Sequence, residues 1–258
     1  MLARLKSYLR PLMPYQSLRL WARLRNRNSA AGTEDVRKIF SDIYKSNRWG
    51  GDRGEFFSGS GSDAAVTANF VRTVNEFIAR NGVHSVADLG CGDFRVGRQI
   101  AKQGIDYTGI DVVQDLVRHN QKKFGREGVR FACLNIIEDE LPKADLCIVR
   151  QVLQHLSNEQ IAKILPKLSR YRFAIVAEHH PGSSKFSGHN LDKAAGSDVR
   201  VYSGSGVYLD QPPFSLANVE ILCRSSPSKW LLSEDETITT YLLKLPPDSC
   251  EPGGVHGG

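Results

Sequence analysis

The feature that most constrains the fold is a glycine turn set between two apolar runs. Residues 84–90 (HSVADLG) form a short, strand-like stretch, and Asp88-Leu89-Gly90-Cys91-Gly92-Asp93 ends it. A second apolar run, 106–113 (DYTGIDVV), carries Asp111 near its end. Glycines let a backbone turn sharply and approach a ligand where a Cβ would clash. A glycine turn after a buried strand and before a helix belongs at the carboxyl edge of a parallel sheet, where open α/β sheets bind ligands.

The rest of the chain repeats that alternation, as a parallel sheet requires. A helix is predicted over 64–81, with Val66, Phe70, Val74, Phe77 and Ile78 on one face and Gly82 at its end. Helical stretches follow at 96–102, 116–124 and 161–168, the last weakened by Pro166. Further strands are predicted at 129–136, 144–150 and 172–179, then a closing pair at 218–223 and 237–245. The expected fold is α/β: a Rossmann-like, seven-stranded, mostly parallel sheet with an antiparallel closing pair and helices on both faces.

Charge divides the chain. The formal net charge is +6, yet residues 1–30 hold seven basic side chains and no acid. The remainder is near neutral, which argues against a nucleic-acid partner. The basic segment interleaves leucines with arginines and reads as an amphipathic helix, packed on the domain or touching an anionic membrane surface. Three regions result: a basic amphipathic extension over 1–50, a catalytic domain over 51–246, and a disordered tail over 247–258. The five cysteines form no CxxC pair, so reduced thiols and a cytoplasmic location are expected, with no metal site. No apolar run approaches membrane-spanning length, which predicts a soluble protein.

The glycine turn does not suit a dinucleotide. A pyrophosphate wants GxGxxG, and the third slot here is Arg95. A ligand without phosphate tolerates that change, and the acidic Asp88 suits a cationic ligand. Asp111, at the end of the second strand, is placed to accept both ribose hydroxyls.

VADLGCGDFRVG resembles the first motif of the class I S-adenosylmethionine-dependent methyltransferases, and TGIDVV resembles their second. FACLNIIEDELP is similar to their third region, with Asn135 where Asp is commoner, and IVRQVLQHLS to the segment after their fourth strand. FFSGSGSD, RQVLQHLSN and PPF resemble a bacterial subgroup. The resemblance implies S-adenosylmethionine as cofactor and a methyltransferase activity. It places Asp88, Gly90, Cys91, Gly92, Asp93, Asp111, Val112, Asn135, Ile136, Arg150 and Gln151 at the cofactor. It is silent on the acceptor.

For the acceptor, a small molecule or glycan hydroxyl is favoured. An RNA or protein acceptor, and a non-catalytic adenosylmethionine-binding protein, are the alternatives. His155 is the candidate base, since an imidazole titrates in a useful range. Glu178 and His179 end the fifth strand, and Arg200 and Tyr202 lie in the long polar stretch 180–213; these four are the candidate acceptor contacts. Gln211-Pro212-Pro213-Phe214 lies beyond the fifth strand and is read as a turn. Tyr44, Trp49, Phe56 and Phe57 are lid or packing aromatics, with packing favoured for the two phenylalanines.

Overall fold

A computed structural model describes residues 35–52, 54–226 and 235–244. The basic segment 1–30 and the tail 247–258 lie outside the described residues.

Seven strands form one sheet: β1 Ser85–Leu89, β2 Asp106–Asp111, β3 Val129–Cys133, β4 Leu146–Arg150, β5 Phe173–His180, β6 Val219–Ser225 and β7 Thr237–Leu243. Their order is β3-β2-β1-β4-β5-β7-β6. The five from β3 to β5 run parallel, and β7 joins β5 and β6 antiparallel. The order reverses between β1 and β4, so a crevice opens beyond their carboxyl ends. The sheet class and the closing pair agree with the sequence reading.

β1 and β4 are buried along nearly their whole length, as strands covered on both faces must be. One core holds Leu89, Val149, Leu153, Ile161 and Val176; the other, on the opposite face, holds Phe70, Val74, Val86, Ile148 and Ile175.

Four α-helices are described: α1 Val36–Lys45, α2 Ala64–Asn81, α3 Gln114–Phe124 and α4 Asn158–Ile164. The predicted helix over 64–81 has the observed bounds. That over 96–102 shrinks to one 3-10 turn, Gly97–Gln99. Gly97 packs on Phe94 and Tyr107 there, where even a Cβ would lie 2.1 Å from the tyrosine oxygen. α4 opens with a Ser157–Gln160 capping box and gives way to a 3-10 turn at Leu165–Arg170 that contains Pro166.

α1 lies ahead of the boundary drawn at residue 51 and packs on the domain. Its first turn is capped by Asp35, which accepts from the Arg37 amide. Val36, Phe40, Ile43 and Tyr44 recur at helical spacing, and Val36 joins the main core. Arg37 donates to Asp139 at 2.7 Å, tying the helix to the turn after β3. The packed unit therefore includes α1.

Candidate active site

The crevice holds a cavity of about 620 Å³, within the range of small-ligand sites. The glycine turn forms its floor. Gly90 and Gly92 have φ of +80° and +55°, which a side chain would strain. A Cβ on Gly90 would meet Val152 at 2.4 Å, so the turn and the chain after β4 lie in direct contact. Asp111 ends β2 with both oxygens held: Oδ2 accepts from the Gly92 amide at 3.1 Å and Oδ1 from the Val113 amide at 3.0 Å. The carboxylate is thereby aimed along the turn with lone pairs to spare. Burial pushes Asp111 up to about 6.

Asp88 lies beneath the turn. It accepts from the Tyr107 hydroxyl, and burial pushes it up to about 6 against the pull of Tyr107 and Arg150. Arg150 ends β4, donates to the Gly61 carbonyl at 2.6 Å and packs over the Phe70 ring. Its Nε is buried without a partner, and burial lowers the guanidinium to about 10. Gln151 follows with φ of +53°, a conformation uncommon outside glycine and found at functional sites.

Every residue expected at the cofactor lines this one cavity: Asp88, Gly90, Cys91, Gly92, Asp93, Asp111, Val112, Asn135, Ile136, Arg150 and Gln151. Two of them also carry local structure. Asp93 accepts from the Ser58 and Arg95 amides, clasping the segment before α2 to the turn. Asn135 accepts from the Ile137 amide and donates to Glu138.

Two residues expected at the acceptor lie outside the cavity lining. Glu178 is fully buried and does not line the cavity. It accepts from the amides of Val152, Leu153 and Gln154 at 3.2, 2.9 and 3.1 Å, satisfying the open end of a 3-10 turn. Burial pushes it up to about 8 while those amides pull the other way. Arg200 is 1% exposed and donates to the carbonyls of Leu191 and Leu156 at 2.7 and 2.6 Å. Its guanidinium staples the long loop to the body and does not line the cavity.

His179 and Tyr202 do line the cavity, joined by Ser197, Val199 and Val201 from the same loop. His155 lines it too. Its Nδ1 donates to the Gly196 carbonyl at 3.1 Å, and its ring lies beside Phe40 and Trp49. Burial pushes His155 down to about 3, so the ring stays neutral.

The sequence reading missed Phe40 and Glu236 in the wall and named Tyr44, Trp49, Phe56 and Phe57 as lid or packing aromatics. Phe40 and Tyr44 come from α1, whose apolar spacing was the available signal. Trp49 crosses the mouth, its indole N–H donating to the Ser197 carbonyl at 3.2 Å. Phe57 lines the cavity, while Phe56 packs against Tyr44 and His119. Glu236, just before β7, lines it as well; nothing local in the sequence marks it. Pro212-Pro213 sits in a turn remote from the cavity lining, as its position after β5 implied.

Residues 87–171 match the family model described as a methyltransferase domain. An uncharacterized methyltransferase of Mycobacterium tuberculosis is 28% identical over 83 residues, which cover 31% of this chain and 42% of that protein. A Mycobacterium bovis relative gives the same figures. The chain thus spans less than half the length of these curated relatives. Among solved structures, the N-terminal domain of EvdMO1, crystallised in the presence of SAH and D-fucose, has a TM-score of 0.51 at 17% identity, covering 84% of this chain and 100% of that one. Magnesium protoporphyrin IX methyltransferase from Synechocystis, with bound SAH, has a TM-score of 0.50 at 17% identity over 81% of this chain and 100% of its own. Human N-acetylserotonin methyltransferase, in complex with SAM, gives 0.50 at 14% identity over 94% and 69%.

Strand order, glycine turn and strand-end carboxylate are those of a Rossmann-like methyltransferase fold, and residues 87–171 carry the methyltransferase-domain match; together they support a class I S-adenosylmethionine-dependent methyltransferase.

Proposed function

We infer that the protein methylates a hydroxyl of a small molecule or of a glycan residue. The observation that carries this reading is that one cavity holds both the cofactor turn and a second wall. Its floor is the cofactor turn, and its far wall, beyond β4 and β5, is made of Trp49, His155, His179 and Tyr202. A chamber of about 620 Å³ suits a cofactor and a small acceptor, or one residue of a larger one.

The residues present fit the cofactor. Asp111 is positioned to accept the ribose hydroxyls. Asp88 and the unpartnered Arg150 Nε, close together at the ends of β1 and β4, complement an amino acid's ammonium and carboxylate. Asn135 and Ile136 line the same cavity and would border the adenine. The cofactor supplies an activated methyl group on a sulfonium. The protein has to align the acceptor oxygen with that group, keep water out and take a proton. Trp49 and the Ser197–Tyr202 stretch close the chamber for those ends.

The test is a methylation screen with cofactor labelled in the methyl group. Its panel holds monosaccharides, phenols, amines and a fractionated bacterial extract, and product is identified by mass spectrometry. Label on a small hydroxylated product is the expected result. Label only on RNA or protein would overturn the reading.

A further inference from the structure

The geometry points to His179, held by Glu236, as the group that takes the acceptor's proton. This rests on the hydroxyl-acceptor reading above.

Two histidines line the cavity, and their surroundings differ. His155 spends Nδ1–H on a carbonyl and has no acid beside it in the hydrogen-bond pattern. His179 Nε2 lies 3.1 Å from Glu236 Oε2. A carboxylate only accepts, so Nε2 carries the hydrogen and Nδ1 keeps the lone pair. The side chain of Glu236 is 2% exposed and that of His179 is 14% exposed, so the carboxylate is shielded while the ring still reaches the cavity. A base oriented by a buried acid is the arrangement that activates a hydroxyl nucleophile.

The strands place this pair on the acceptor's side. β5 lies next to β4, with Ala177 beside Arg150, so His179 projects beyond the strand end that borders the cofactor. His179 also pairs with Ile238 of β7, which brings Glu236 alongside. His180, its neighbour, points away, bonded to Thr239 and the Val207 carbonyl and stacked on Tyr208. Glu178, on the other side in sequence, faces the turn after β4.

The step balances simply. The acceptor oxygen bonds to the methyl carbon as the carbon–sulfur bond breaks, leaving its electron pair on sulfur. The hydroxyl proton passes to Nδ1 of His179, Glu236 stabilises the imidazolium, and the ring later yields its proton to water. His179 is thus a catalytic residue and Glu236 a positioning residue.

The test has two arms on the full chain. In the first, the histidine ring nitrogens are followed by NMR in protein loaded with S-adenosylhomocysteine, with His179→Gln assigning the signals. The expected neutral form carries its hydrogen on Nε2, and Glu236→Gln, whose amide can also donate, shifts the tautomer balance toward Nδ1. A hydrogen on Nδ1 in the parent, or a tautomer balance unmoved by Glu236→Gln, would overturn the pair. In the second arm, His179→Gln should lower kcat by about 10²- to 10⁴-fold on a hydroxyl acceptor, with cofactor affinity retained as the check on folding. Glu236→Gln should lower it less, and Glu236→Asp should recover part of the loss. An unchanged kcat in His179→Gln overturns the base alone. Methylation confined to amines or thiols overturns the hydroxyl reading, and the base with it.

Discussion

The two ends of the cavity are built in different ways. The cofactor end comes from short, local pieces: the turn 88–93, Asp111 at the next strand's end, and the residues straight after β3 and β4. Each piece is fixed by the strand that delivers it. The acceptor end is gathered from α1, the residues just after it, the loop after β5 and the start of β7. Apart from α1 and the residues that follow it, those segments lie far apart in sequence, and the hydrogen bonds that join them, such as Trp49 to Ser197, span long stretches of chain. Local geometry fixes the first end, and tertiary contact fixes the second. Changes at the two ends should therefore separate by what they disturb.

The largest effect is expected from the staple that holds the acceptor end. Arg200→Ala removes two charge-assisted hydrogen bonds and leaves two buried carbonyls and a cavity, at a cost of about 3–5 kcal/mol of stability. Thermal unfolding with and without cofactor measures it. A variant that melts like the parent but has lost acceptor affinity would return Arg200 to the ligand. Next comes Asp111→Ala, expected to cost about 2–4 kcal/mol of cofactor affinity by calorimetry with little change in folding. An unchanged affinity would remove Asp111 from the ribose.

These two residues show what the sequence can and cannot reveal. Asp111 was legible because its neighbours in sequence are its neighbours in space: strand, turn and carboxylate repeat a local geometry. Arg200 reads as a ligand contact because a polar loop arginine ordinarily faces outward. Only the fold shows that the carbonyls of Leu156 and Leu191 have claimed it. Glu178 fails for the same reason, its strand-end carboxylate being consumed by three amides. The helix α1 was hidden by the basic charge before it, although Val36, Phe40, Ile43 and Tyr44 carry the spacing. Seven strands and the antiparallel pair were readable because alternation of apolar runs survives without tertiary knowledge.

A pH dependence sharpens the contrast further. Asp88 and Asp111 are both pushed up to about 6 by burial. On the proposed roles, the cofactor's hydroxyls and ammonium would engage the ionised carboxylates. Affinity is therefore full above about pH 6 and is lost as pH falls through it, by up to about tenfold per unit for each group. Calorimetry from pH 7.5 to 5, repeated with Asp88→Asn, checks this. The variant should bind more weakly at neutral pH and show a shallower slope. His155, pushed down to about 3, stays neutral across that window and adds nothing to the slope.

The smallest effect tests the boundary between the ends. Trp49 is the residue that belongs to both. Its ring lies 5.1 Å from Tyr44, which borders Asp111 and the glycine turn, and 5.3 Å from His155 on the acceptor wall. Its N–H reaches across to the loop after β5. Trp49→Phe keeps an aromatic ring and removes that hydrogen bond, worth about 1 kcal/mol net. If the indole latches the chamber, the loss is shared: cofactor dissociation speeds several-fold, and the acceptor's KM rises by a similar factor. Stopped-flow release of S-adenosylhomocysteine and steady-state kinetics give the two numbers. An effect on release alone would make Trp49 a cofactor cover, and an effect on KM alone an acceptor wall. In either case the two ends would be more independent than the hydrogen bond between Trp49 and Ser197 implies.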